Sequence, residues 1–297
     1  MKEIYKKKFK AHEISEAIAF FVQNGYVIFE GVYDDTTRLE IHDWLSSRYE
    51  ALANLAANGE IPFDINGWAV AIIKKFELTP LYGKLSYSPE LIKILSSFLG
   101  PDLCVLGQEA LWINVPSDTD PVLNKGVHTD AWTGTSDNTL FAKYFVTDCD
   151  EFNGMTVVPG SHNFGFVPCR NREVDPLYNI DSHIEEVNLD NAKSGDLLIW
   201  HALTLHATRG HSDRNTRISI TSRYTSTETP FSSQERALGY RPLTVGPLNQ
   251  IRRVIGTDSL APFRTLGGHV GVDRRLQHLY GHGVFKPSFD FDRFISY

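Results

Sequence analysis

Between about residues 103 and 225 the chain never sustains a helical repeat. It breaks into short β-rich runs punctuated by Gly, Pro, Asn and Asp. Several such runs in succession predict two packed sheets, a double-sheet jelly roll (a double-stranded β-helix, or cupin-like, core). Helical periodicity belongs to the chain before it. Residues 13–24 put Ile14, Ala17, Ile18 and Phe21 on one face, and Gly25 offers a left-handed stop. Tyr26-Val27-Ile28-Phe29 reads as a short strand, and a second helix is expected from Asp35 through Leu39, Leu45 and Leu52 to about Ala57. A third has Ser88 as its cap, Pro89 in its first position, Leu91, Ile92 and Leu95 on its apolar face, and Gly100 at its end. The expected architecture is mainly β, with these helices on the outer face of the jelly roll. It divides one domain into a helical part (about 11–100), a core (about 101–225) and a C-terminal extension (226–297). The extension, rich in Gly, Pro, His and Arg, is expected to be mostly loop with one short helix near Leu248–Val254.

At 297 residues and 42% hydrophobic content, a single large core is affordable. A net charge of −7 excludes the basic stripe of a nucleic-acid binder. The one basic cluster, Lys2, Lys6, Lys7, Lys8 and Lys10, reads as a solvated N-terminal tail. Cys104, Cys149 and Cys169 are odd in number and unpatterned, as expected of reduced thiols in a cytoplasmic protein. No apolar run is long enough to span a membrane, and the charged N-terminus lacks a signal-peptide core. Monomer and homodimer are both compatible with this composition.

Within the β-rich region stands His128-Thr129-Asp130. On an extended segment, side chains alternate with period two, so the imidazole and the carboxylate share a face. A second histidine from a distant strand would complete a two-histidine, one-carboxylate facial triad, which leaves coordination positions of Fe(II) open. His201, His206 and His211 compete for that place, and on a continuous strand His206 would face opposite to the other two. Arg217 follows His206 by eleven positions, in a run whose alternation puts Arg217, Ser219 and Thr221 on one face and Ile218 and Ile220 on the other. Pattern alone leaves open which face points inward. An inward arginine is costly unless an anion pairs with it, and a guanidinium matches a carboxylate bidentately. Lys143, inside a very apolar strand, and Gln108 and Asn114, on the strand before the His-x-Asp, are further candidate polar contacts. Trp132 shares the face of His128 and Asp130 if the strand continues, and would then wall the substrate side of the metal.

The order of segments carries more information than any one of them. Lys125-Gly126-Val127-His128-Thr129-Asp130-Ala131-Trp132 precedes the apolar run Thr139–Val146. Then come Asn153-Gly154, Val158-Pro159-Gly160-Ser161-His162, Gly195-Asp196, His206 and Arg217. Over roughly residues 12–225 this resembles the phytanoyl-CoA dioxygenase family of Fe(II)/2-oxoglutarate-dependent oxygenases. The resemblance implies that His128, Asp130 and His206 hold Fe(II), because the family's arginine lies ten or eleven positions after its distal histidine. Arg217 would take the far carboxylate of 2-oxoglutarate, with Thr208 as a second contact. His162 would be a hydrogen-bonding turn residue and not a ligand. O2 and 2-oxoglutarate would be consumed, releasing succinate and CO2, with hydroxylation of an aliphatic C–H of a small-molecule metabolite as the default. Family relatives that chlorinate carry a small residue where Asp130 stands. Desaturation, cyclisation and epoxidation use the same ligands; a metal-dependent isomerase or lyase, or a binding module, could use the jelly roll without activating oxygen. Residues 60–80, 132–138, 170–190 and the tail are expected to be pocket-lining loops, and none carries a substrate signature.

Overall fold

A computed structural model describes residues 2–106, 109–116, 125–133, 136, 138–170, 173–178, 185–208, 215–226, 229, 240–242 and 295. Gln108, His211 and the expected helix near Leu248–Val254 lie outside the described residues. The described helices are α1 (Ile14–Asn24), α2 (Asp35–Ala57), α3 (Ile65–Phe76), α4 (Pro80–Ser86) and α5 (Pro89–Leu99). The strands are β1 (Lys8–Phe9), β2 (Tyr26–Phe29), β3 (Leu103–Leu106), β4 (Ala110–Asn114), β5 (Lys125–His128), β6 (Leu140–Phe145) and β7 (Met155–Val157). They continue with β8 (Cys169–Arg170), β9 (Glu173–Val174), β10 (Val187–Leu189), β11 (Leu197–His201), β12 (His206–Thr208), β13 (Arg217–Ser226) and β14 (Tyr240–Pro242).

Local signals set the helix ends. The Asp34 carboxylate accepts from Thr37 N, and Ser88 Oγ accepts from Leu91 N with Pro89 behind it. Residues 60–80 correct an expectation, because they hold α3 and lead into α4, and are not a pocket-lining loop. Asp64 caps α3 through Gly67 N at 2.9 Å, and Trp68, Ala69, Ile72, Ile73 and Phe76 bury one helical face. Trp68 and Ile72 belong to the cluster that also holds Leu111 and Ile113 of β4, so this segment walls the outside of the large sheet.

Two sheets form the jelly-roll core. The larger runs β1-β2-β11-β6-β13-β3-β14, with β4 also on β13; the smaller runs β10-β7-β12-β5. One core lies between the helices and the large sheet and includes Leu45, Trp68, Tyr144, Ile218, Ile220 and Tyr224. The other lies between the sheets and includes Phe141, Phe145, Met155, Val157, Leu198 and Trp200. Because β13 pairs with β6 as Ser219↔Phe145, Thr221↔Lys143 and Arg223↔Phe141, cross-strand partners share a face. Arg217, Ser219, Thr221 and Arg223 therefore point between the sheets. The inward face is the polar one.

The N-terminal lysines also correct an expectation. β1 pairs in parallel with β2, Lys6 Nζ lies 2.7 Å from Asp190, and Lys8 Nζ lies 2.6 Å from the buried Asp196. The segment is docked and not a solvated tail. Among the described residues no helix is long and apolar enough to cross a membrane.

Gly25 links this frame to the site. Its φ is +80°, and a Cβ there would lie 2.5 Å from His162 Nδ1 and 2.6 Å from Thr204 Oγ1. Its carbonyl accepts from His201 N at 2.9 Å and from Thr204 Oγ1 at 2.7 Å, which fixes the turn leading to His206. Left-handed backbone costs about 1–2 kcal/mol for a residue with a Cβ, and overpacking adds roughly 1–3 kcal/mol. Gly25→Ala should thus destabilise the fold by about 2–5 kcal/mol in urea denaturation. A variant with the parental midpoint would show that this approach is looser than described.

Candidate metal centre

β5 and β12 pair antiparallel with His128 directly opposite His206, and the two imidazole centroids lie 4.5 Å apart. Asp130 reaches the same point by a different route from the one the sequence suggests. The strand ends at His128, and Asp130 opens a 3-10 turn, Asp130–Thr133, whose first two amides both donate to Ala202 O at 3.0 and 3.2 Å. The His-x-Asp pair converges by turning and not by strand alternation. Trp132 therefore falls inside a turn and not on a continued strand, and its side chain lies outside the described residues. One ligand atom from each of His128, Asp130 and His206 falls within 4.8 Å of the others.

The tautomers are set by the backbone. His128 Nδ1 is 2.7 Å from Gly126 O, and His206 Nδ1 is 2.9 Å from Thr204 O. A carbonyl only accepts, so both Nδ1 atoms carry the proton, and in the neutral rings both Nε2 atoms carry a lone pair. His206 Nε2 then faces Asp130 Oδ2 at 3.4 Å, acceptor against acceptor. A cation between them would relieve the repulsion. Burial pushes the Asp130 carboxyl up, yet positive charge on His206 and His128 when they are protonated, with Arg223 and the Trp200 hydrogen bond, brings it below the usual carboxylate range. Trp200 Nε1 donates to Asp130 Oδ2 at 3.1 Å, a contact the sequence did not flag, although Trp200 ends the run that leads to His206. Two neutral imidazoles with backed Nδ1 atoms and one ionised carboxylate suit Fe(II), leaving other positions for reactants.

The competing histidines are elsewhere. His201 ends β11, accepts from Leu203 N through Nδ1 at 3.1 Å, and lies 5.8 Å from the His162 ring. His162 donates from Nε2 to Val22 O at 3.1 Å.

Arg217 is fully buried on the inter-sheet face. Its Nη1 donates to Asn153 O and its Nη2 to Asn114 Oδ1 at 2.8 Å, while Nε has no partner. No carboxylate among the described residues pairs with it. Burial pushes the guanidinium down, opposed by neighbouring Cys149 and Asp150, and it pushes the Cys149 thiol up to about 11. Ser219 Oγ and Thr221 Oγ1, next along the same face, are also buried without partners. Three orphaned donors on one row make a cradle for an anion. Lys143 is 4% exposed beside Thr221, with Nζ 6.0 Å from the Trp112 ring centroid and 5.8 Å from that of Trp200. Asn114 thus serves Arg217, and Thr208 stands half-buried two residues beyond His206 in the same strand.

Residues 21–219 match the phytanoyl-CoA dioxygenase (PhyH) family. Among curated proteins no sequence matches. Solved structures do. The epimerase SnoN, in complex with Fe3+, alpha ketoglutarate and nogalamycin RO, superposes with a TM-score of 0.54 at 20% identity, covering 73% of this chain and 84% of that one. The non-heme monooxygenase ThoJ, as the apo form, gives 0.55 at 17% identity over 89% and 99% of the two chains. EctD from S. alaskensis, with 2-oxoglutarate and 5-hydroxyectoine, gives 0.50 at 16% identity over 72% and 76%. At these identities the likeness is one of fold.

Proposed function

This chain belongs to the phytanoyl-CoA dioxygenase (PhyH) family and is an Fe(II)/2-oxoglutarate-dependent oxygenase, and from that premise we propose that it hydroxylates an aliphatic C–H of a small-molecule metabolite. In this reading His128, Asp130 and His206 hold the iron and Arg217 anchors the far carboxylate of 2-oxoglutarate. Thr208 and Lys143 are further contacts to the co-substrate, as is Gln108 from outside the described residues. The observation that carries the reading is the buried, carboxylate-free guanidinium of Arg217 on the inter-sheet face. A metal-dependent isomerase or a binding module has no use for such a charge, which costs several kcal/mol to desolvate.

With iron, 2-oxoglutarate and O2 bound, the cofactors supply an oxidant able to take hydrogen from an unactivated C–H, with succinate and CO2 as by-products. The residues do the rest. The Gly126 and Thr204 carbonyls orient the two imidazoles, and the Trp200 N–H orients the Asp130 carboxylate. The apolar walls of Phe141, Leu198 and Val157 exclude water from the inner end. SnoN is named an epimerase and EctD is found with 5-hydroxyectoine, so the same fold serves different outcomes. Asp130 as a ligand would fill the coordination position that a halide would need, which speaks against chlorination and leaves hydroxylation as the default.

Two assays test this. Succinate should form from 2-oxoglutarate in an Fe(II)- and O2-dependent manner, even uncoupled from substrate, and no succinate under any metal would exclude the class. Asp130→Gly should open a position for chloride, while the parent protein in excess chloride yields only oxygenated product. A chlorinated product from the parent would remove Asp130 from the ligand set.

A further inference from the structure

β13 carries two arginines on its inner face, Arg217 at its first residue and Arg223 six residues on. At about 3.3 Å per residue their backbones are roughly 20 Å apart. A five-carbon dicarboxylate that reaches from the iron to Arg217 runs away from Arg223. The two cations therefore stand at opposite ends of the same row, with the orphaned hydroxyls of Ser219 and Thr221 between them.

Arg223 is at the metal end. It lies directly opposite Phe141 in the β6–β13 register, with its guanidinium carbon 5.1 Å from the Phe141 ring centroid. Phe141 in turn stacks on Trp200 at 5.3 Å and 21°, and Trp200 donates to Asp130. Arg223 is also one of the charges acting on the Asp130 carboxylate. Unlike Arg217 it is half-buried, so solvent reaches it. A guanidinium packed over a ring is held in place by it, and its N–H groups suit a carboxylate or a phosphate.

We propose that Arg223 anchors an anionic group, carboxylate or phosphate, on the substrate, so that the substrate class is a small organic acid or phosphate ester whose reacting carbon is held between that anchor and the metal. This rests on the reading of His128, Asp130 and His206 as iron ligands and of Arg217 as the co-substrate anchor. It requires of the molecule an anion at one end and an aliphatic C–H at the other.

The test uses the full chain loaded with Co(II) and 2-oxoglutarate, read by the visible Co(II) spectrum and by thermal shift. Butyrate and inorganic phosphate are titrated separately, with butyramide as the neutral control. Saturable binding of at least one anion and none of butyramide is expected, and which anion binds separates an acid from a phosphate ester. Arg223→Ala should weaken that binding at least tenfold, and Arg223→Lys should restore part of it. The 2-oxoglutarate affinity should stay within twofold of the parent, and any change in Co(II) affinity should be much smaller than the loss of anion binding. Three results would overturn the proposal: no anion binding by the parent, anion binding indifferent to Arg223→Ala, or a loss in that variant of Co(II) or 2-oxoglutarate affinity instead. The last would make Arg223 a partner of Asp130 or of the metal-proximal carboxylate of the co-substrate. Failure of the parent to give a Co(II) spectrum sinks the triad reading itself, and the substrate anchor with it.

Discussion

His206→Ala should abolish Fe(II) binding and 2-oxoglutarate turnover, and His128→Ala and Asp130→Ala should do the same. Removing a group that merely orients a ligand costs roughly 10–100-fold in metal affinity, so removing a ligand costs more. The fold should survive. The loss orphans the Thr204 carbonyl, for about 1–3 kcal/mol, and leaves the pairing of β12 with β7 intact. His201→Ala is the matched control, since His201 ends a strand of the other sheet and faces His162. Iron content by elemental analysis and succinate yield read the result. Should His201→Ala lose both while His206→Ala keeps both, the distal ligand has been misassigned.

The distal assignment shows what the sequence could and could not carry. Spacing left three histidines open, and the choice of His206 came from resemblance; what sets His206 opposite His128 is a cross-strand register that no local pattern encodes. Helix α5 was legible because its cap, its proline and its terminal glycine act within a few residues. Helix α3 carries equally local signals in Asp64 and in the Trp68, Ile72 and Phe76 spacing, and these outweigh the expectation of a loop there. The orientation of β13 was beyond reach, since both its faces are buried and alternation then has no solvent side to define it. Pairing of Ser219 with Phe145 resolves it. The docking of Lys6 and Lys8 depends on partners 184 and 188 residues away, which composition cannot anticipate. Trp200 and Arg223 were missed for the same reason. Each earns its place only through neighbours on other strands.

Arg217→Ala should raise the 2-oxoglutarate KM at least about tenfold and erase the thermal stabilisation that 2-oxoglutarate gives the metal-loaded parent. Truncating one member of a buried, hydrogen-bonded charge pair costs on the order of 2–5 kcal/mol, and each 1.4 kcal/mol is about a factor of ten in affinity. A ligand at a hundred times its Kd stabilises the parent by about 2.7 kcal/mol, so the lost shift is easily read in a melt. The unliganded variant behaves differently. It gives up a desolvated charge whose Nε had no partner, and it leaves Asn114 Oδ1 and Asn153 O without their donor. Those terms oppose one another, so apo stability should change far less than the ligand-induced increment does. That contrast separates an anion anchor from an ordinary core residue, whose loss would lower both melts together. A variant that keeps the parental KM and the parental shift would move the anchor to Lys143, the other buried cation on this face.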